Sequence, residues 1–165
     1  MTISIKKFIL HLDIRKRQGL VMKEILTIEV CIKHALEVKG KSAEVVMITF
    51  DGNCDSENFK GKILPGGVDT QKEFYPEKRT LSARYMLEGV DKVGKQCHIF
   101  IENNGVANEN GMVEKTVPKI ITDSECLSWM ENAHLSGTIT SWEKGVIIHV
   151  FANESDYEKN VGKVE

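Results

Sequence analysis

The chain has little of several things that would label it. It carries three prolines and two tryptophans in 165 residues, so neither a polyproline segment nor a tryptophan-rich repeat is present. Basic residues do not outnumber acidic ones: 22 Lys and Arg stand against 24 Asp and Glu, a formal charge of -2. That balance leaves no electrostatic footprint for nucleic acid. No polybasic cluster accompanies an amphipathic helix, so a membrane surface is not expected either. No apolar run approaches the roughly 18 residues of a membrane-spanning helix. The N-terminal run FILHL is short, is interrupted by His11 and is followed at once by charge, so it does not read as a secretory leader. The four cysteines, Cys31, Cys54, Cys97 and Cys126, are far apart and form no C-x-x-C. A cytoplasmic protein with free, small apolar cysteines is the expectation. The histidines show no ligand spacing to them, so no metal site is expected. A nucleophile elbow, a phosphate loop and a dinucleotide fingerprint are all missing from the sequence, and no cofactor is expected.

What is present is an ordinary globular composition, with 41% apolar and 28% charged residues, enough to build one core. Residues 1–21 are basic and mixed in pattern and read as an appendage. Met22 reads as the start of the domain, which spans 22–153; residues 154–165 form a polar tail predicted to fray. Within the domain strand follows strand. Glu24–Ile32, Ala43–Phe50, Val68–Tyr75, Thr80–Glu88 and Lys95–Asn103 are β-prone, and His134–Ser141 with Val146–Ala152 closes as a hairpin. Met112–Thr122 reads as extended, broken by Pro118. Phe50–Gly61 and Asn103–Gly111 are rich in turn-formers and read as loops. Asp123–Ala133 is the one short helix, capped by Asp123 or Ser124, with Leu127 and Met130 on its inner side. Short strands joined by tight turns predict an all-β sandwich or barrel.

The turns suggest a register. If Phe74 lies opposite Thr80, then Asp69 faces Tyr85 and Gln71 faces Ala83; Tyr85 then meets Ile99 and Leu81 meets Asn103. One face carries Asp69, Gln71, Leu81, Ala83, Tyr85, Leu87, Cys97, Ile99, Ile101 and Asn103. Its aliphatic residues make it the inward face. Asp69, Gln71, Tyr85 and Asn103 gather toward one end of it. A buried carboxylate is costly unless it is hydrogen-bonded or protonated, so this cluster is either a satisfied structural network or the polar end of a ligand cavity. In the second case Asp69 is the candidate general acid or base and Tyr85 a candidate donor to a developing oxyanion, while Gln71 and Asn103 orient a carbonyl or hydroxyl. Arg84 falls on the opposite face with Glu88 and Glu102. It is either a rung of a solvated charge ladder or a partner for an acidic ligand group below a pocket mouth. Trp129 in the short helix either plugs one end of the core or stacks on a ligand. The strand Val146–Phe151 is apolar on both sides, so it is covered by another element or forms a homo-oligomer contact.

PGGVDTQ, LSARYMLE, IFIENNG, TVP and LSWMEN occur in that order. Together they resemble the bacterial and fungal domain-of-unknown-function 3237 family, also called uncharacterised protein family 0311. The likeness covers about Met22 to Asn153. It implies a single antiparallel closed β-barrel similar to the calycin or lipocalin-like group, with one short helix. It carries over Gly66, Gly67, Asp69, Gln71, Ala83, Arg84, Tyr85, Glu88, Asn103 and Gly105 as family positions, without a catalytic role for any of them. One departure concerns the segment before PGG, where a Gly-Gly pair is replaced by FDGNCDSENFKG with a single Gly52 in its turn.

Two functions follow from these readings. In the first the barrel binds a compact, partly apolar metabolite at Asp69, Gln71, Tyr85 and Asn103, with or without cofactor-free proton transfer, isomerisation or hydrolysis. In the second the barrel is filled by its own side chains and serves as a structural or interaction module. An open lumen of several hundred Å3 beside Asp69 favours the first; a packed interior favours the second.

Overall fold

The structure is a computed structural model and describes residues 21–161. The expected appendage, apart from Val21, lies outside the described residues. Nine strands form one antiparallel sheet: β1 (Met22–Lys39), β2 (Ala43–Asp55), β3 (Phe59–Ile63), β4 (Val68–Phe74), β5 (Thr80–Asp91), β6 (Gln96–Val106), β7 (Lys115–Thr122), β8 (Leu135–Trp142) and β9 (Gly145–Asn153). Their order is β1-β9-β8-β7-β6-β5-β3-β2-β4, and the further pairings β1–β2 and β5–β4 bring the sheet back on itself as a barrel-like ring. A short 3-10 helix (Glu125–Glu131) follows β7, and an α-helix, α1 (Glu154–Val161), follows β9. No helix among the described residues is long and apolar enough to cross a membrane.

The Pro-Gly-Gly segment has an unexpected place in this ring. β3 and β4 run in the same direction between β2 and β5, each pairing with both. They are two halves of one lane, interrupted by Leu64–Gly67. The interruption stays tied to its neighbours: the Leu64 amide donates to the Met86 carbonyl at 2.8 Å and the Phe50 amide to the Gly67 carbonyl at 3.3 Å. Gly66 has φ +110 and Gly67 lies against the Phe50 ring, so the two glycines serve a left-handed turn and a close approach.

Three expectations on the chain are corrected. Phe50–Gly61 is not a loop: β2 continues to Asp55 and β3 begins at Phe59. The turn-forming letters hid an alternation in which Phe50, Gly52 and Cys54 are buried while Asp51, Asn53 and Asp55 are exposed. Gly52 is required there because a Cβ would fall 1.9 Å from the Glu29 carbonyl oxygen. The second loop is shorter than expected, since β6 runs on to Val106. The tail after Asn153 does not fray along its first part. It turns into α1, whose Tyr157 is buried against Trp129 at 5.7 Å between ring centroids, with the Lys23 ammonium over its ring at 3.7 Å.

The core is the inner surface of the ring. Ile28, Ile99, Ile101, Leu127, Met130 and Val150 have no exposed surface, and each such aliphatic side chain contributes about 1.5–3 kcal/mol by leaving water. Pro118 is accommodated because β7 pairs with β8 only at Lys115 and Thr116, leaving its missing amide facing no ladder. The 3-10 helix closes one end with Leu127 and Met130 inward as expected. Ser124 holds the N-cap position, one of the two expected, but its hydroxyl donates to Asp91 Oδ2 at 2.7 Å instead of bonding the helix, and Asp123 Oδ1 accepts from the His98 amide.

Candidate functional site

The observed register brings the polar residues together by a route slightly different from the expected one. Asp69 lies opposite Ala83, and Ala83 opposite Asn103; Gln71 lies opposite Leu81, and Tyr85 opposite Ile101. Both hairpins are displaced by two residues from expectation. Because side chains alternate with a period of two, every residue keeps its face, and the inward set is buried throughout except for half-buried Gln71. Asp69 and Asn103 therefore flank Ala83 in one row, their backbones two strand spacings or about 10 Å apart. The methyl of Ala83 between them leaves both polar groups facing a common space.

That space is a cavity of about 390 Å3. Asp69, Gln71, Ala83 and Asn103 form its floor; Val30, Ile48, Phe50, Leu81, Ile139 and Ile148 form its walls. Met112, Val113 and Glu114, from the loop between β6 and β7, cover part of it. Val113 reaches in over Gly105, where a Cβ would stand 2.5 Å from its Cγ1. Its rim carries Ile32, Ser141 and Glu114, all exposed, and Arg79.

Asn103 is 1% exposed, and neither its Nδ2 nor its Oδ1 has a hydrogen-bond partner among the described residues. Asp69 is 8% exposed; Gln71 Nε2 donates to its Oδ2 at 2.8 Å, and its Oδ1 has no partner among the described residues. Burial raises the Asp69 carboxyl above the ordinary carboxylate range, against the lowering effects of the Gln71 amide and the Ser82 backbone N–H. Buried polar atoms without partners are rare in native interiors, and three such atoms beside one opening mark where something outside the chain can bond.

The other expected site residues are placed elsewhere. Tyr85 lies one row deeper, its ring edge-on to Phe50 at 5.4 Å and its hydroxyl buried and unpaired among the described residues; burial pushes the phenol well up. It does not line the cavity. Arg84 is exposed on the outer face opposite Glu102, and Trp129 packs on Tyr157 beside the start of β1. Neither borders the cavity. Sequence reasoning missed Arg79, whose guanidinium holds Glu44 and reaches Glu73 at 3.2 Å, while the Tyr75 hydroxyl donates to Glu44 at 2.9 Å. Arg79 follows a turn, and only the β2–β4 pairing brings Glu44 and Glu73 opposite one another beside it. Among the described residues no group of three or more His, Cys, Asp and Glu is arranged to hold a metal ion.

Comparison with known proteins matches this architecture. A UPF0311 protein of Clostridium acetobutylicum is 27% identical over 142 residues, covering 73% of this chain and 86% of its own. A crystal structure of a protein of unknown function from the same organism superposes with a TM-score of 0.68 at 24% identity, covering 81% of this chain and 99% of that one. A β-barrel-like protein from Acinetobacter baumannii superposes with a TM-score of 0.61 at 16% identity, covering 80% and 94%. The model of the family described as protein of unknown function (DUF3237) matches residues 21–152, and the chain belongs to that family.

Proposed function

We propose that this protein binds a small, partly apolar molecule inside a closed, calycin-like barrel, with Asp69, Gln71 and Asn103 as the anchoring floor. The observation that carries the reading is the cavity of about 390 Å3 bordered by the unpaired Asp69 Oδ1 and both unpaired amide atoms of Asn103. That volume falls at the scale of ligand sites, roughly 300–1,000 Å3, and an apolar concavity with few convergent polar groups is their usual make-up. A core filled by its own side chains would have no use for it. The same floor suits proton transfer without a cofactor. A carboxyl whose pKa is raised by burial works nearer neutrality as acid or base, and the Asn103 amide is a donor for a developing oxyanion. The four free cysteines suit a cytoplasmic setting. A second copy would pack on Ile147 and Phe151, half-buried on the outer face of β9.

The test is a thermal-shift screen of the whole chain against a broad metabolite set, wild type beside Asp69→Asn. A true ligand at a hundred times its Kd adds about 2.7 kcal/mol to wild-type stability, and the variant should lose that gain while folding normally. Stabilisation by nothing in the set, together with a large fall in Tm for Asp69→Asn alone, overturns the proposal in favour of a structural cluster.

A further inference from the structure

We infer that the cavity is built for an apolar amine, whose ammonium sits on the floor between Asp69 and Asn103 while its carbon body lies among Phe50, Leu81 and Ile148. The inference rests on the ligand-binding reading of the cavity and names the class of ligand. Three observations carry it.

The first is the acceptor set. Among the described residues Asp69 Oδ1 and Asn103 Oδ1 are buried and unpaired, and Gln71 turns one amide N–H to Asp69 Oδ2, leaving its carbonyl oxygen as a third acceptor. An ammonium has three donors and no acceptor, so it matches a floor of oxygens. A carboxylate ligand would meet the same oxygens with like polarity. Asn103 Nδ2 and the second N–H of the Gln71 amide are the donors left over, and an oxygen next to the amine would satisfy one of them. An amino alcohol therefore fits more of the floor than a bare amine.

The second is the charge around the opening. Asp69 and Glu114 line the cavity with Arg79, and Arg79 is already held by Glu44 and Glu73. Four carboxylates thus stand against one guanidinium, and the Trp142–Gly145 hairpin beside Ile32 adds one charge of each sign in Glu143 and Lys144. Lys39, opposite Glu44, adds nothing, since Glu37 holds it at 3.1 Å. A cleft of one sign with low-dielectric walls concentrates the opposite charge. The doubly engaged Arg79 is not free to receive an anion.

The third is the wall. Apart from the floor and the rim, the lining is aliphatic or aromatic, which excludes a ligand that is polar along its length. Burial makes an isolated Asp69 carboxylate costly; an ammonium at bonding distance offsets that cost, as buried charges require.

The test uses compounds sharing a phenyl-two-carbon skeleton: phenethylamine, 2-amino-1-phenylethanol, 2-phenylethanol and phenylacetate. Each competes against the neutral lumen dye N-phenyl-1-naphthylamine at pH 7. The amine should displace the dye at about tenfold lower concentration than the alcohol, the difference expected of one charge-assisted hydrogen bond. The amino alcohol should be stronger still and phenylacetate the weakest. Asp69→Asn should erase the amine-to-alcohol ratio, and Glu114→Gln, on the exposed rim, should reduce it and its salt dependence. If 2-phenylethanol or phenylacetate displaces the dye as well as the amine does, the ammonium assignment falls while the lumen stands. If the dye does not bind, or binds unchanged when Leu81→Trp fills the cavity, the lumen reading falls with it.

Discussion

Replacing Asn103 by leucine is expected to make the ligand-free protein more stable and to remove its ligand. Asn103 is 1% exposed with both amide atoms unpaired, and a buried polar group without a partner costs about 1–3 kcal/mol. Leucine removes that cost. Its branch has room, because the neighbour in the row is Ala83 and the side chain borders the cavity. The net gain should be about 1–3 kcal/mol, read as a rise in Tm of roughly 3–10 °C for a domain of this size. Urea unfolding with matched m-values gives the free energy directly, calorimetry gives the Tm, and displacement of the lumen dye by phenethylamine gives the functional loss. A variant less stable than wild type by more than about 1 kcal/mol refutes the reasoning. It would mean that the amide is bonded within the fold, and that the floor is structural.

Three further outcomes follow from the same geometry. Asp69 has a folded pKa raised by burial, so the folded state binds the extra proton and wild-type stability falls as pH rises through the folded pKa. Urea midpoints of wild type and Asp69→Asn should be similar near pH 4 and diverge in favour of the variant toward pH 7, and a constant difference would contradict the shift. Asp91 behaves oppositely: burial acts to raise its pKa, but bonds from the Ser124 hydroxyl and the Lys95 and Val93 amides hold it below the ordinary value. Asp91→Ala should cost about 2–4 kcal/mol at neutral pH, and the deficit should shrink as pH falls below about 4; no shrinkage would mean the carboxylate charge is irrelevant there. Ending the chain at Asn153 removes Tyr157 from Trp129 and should lower stability by about 2–4 kcal/mol with a red shift of tryptophan emission, whereas unchanged emission would mean that α1 does not dock.

The inner face was legible in the sequence because alternation survives errors of two residues. The assumed turn geometry misplaced both hairpins by that amount, yet Asp69, Gln71, Ala83 and Asn103 were still assigned inward. Tyr85 was also assigned inward correctly, but its depth depends on the register itself, so its absence from the cavity was not legible. β2 beyond Phe50 was hidden because Gly, Asn and Asp have turn propensity wherever they stand, and only its contact with β1 makes Gly52 a strand residue. Arg79 was invisible for a different reason. Its partners come from β2 and from the far end of β4, and no local pattern announces a meeting of three strands. α1 was missed because its single large apolar residue, Tyr157, gives no helical periodicity, and its stability comes from Trp129 and Lys23.

The strand β1 closes the ring and also leaves it. Its ladder with β9 ends at Cys31 and Gly145, where the Ile32 amide donates to the Lys144 carbonyl at 3.1 Å, while its ladder with β2 continues to Lys39. The doorway is thus a difference in strand length, and the hairpin Trp142–Gly145 is its sill. Two residues added to each arm of that hairpin would raise the wall by about 7 Å without disturbing the row from Asp69 to Asn103. Doorway and floor are written in separate stretches of sequence, so lengthening that hairpin would narrow the one and leave the other unchanged.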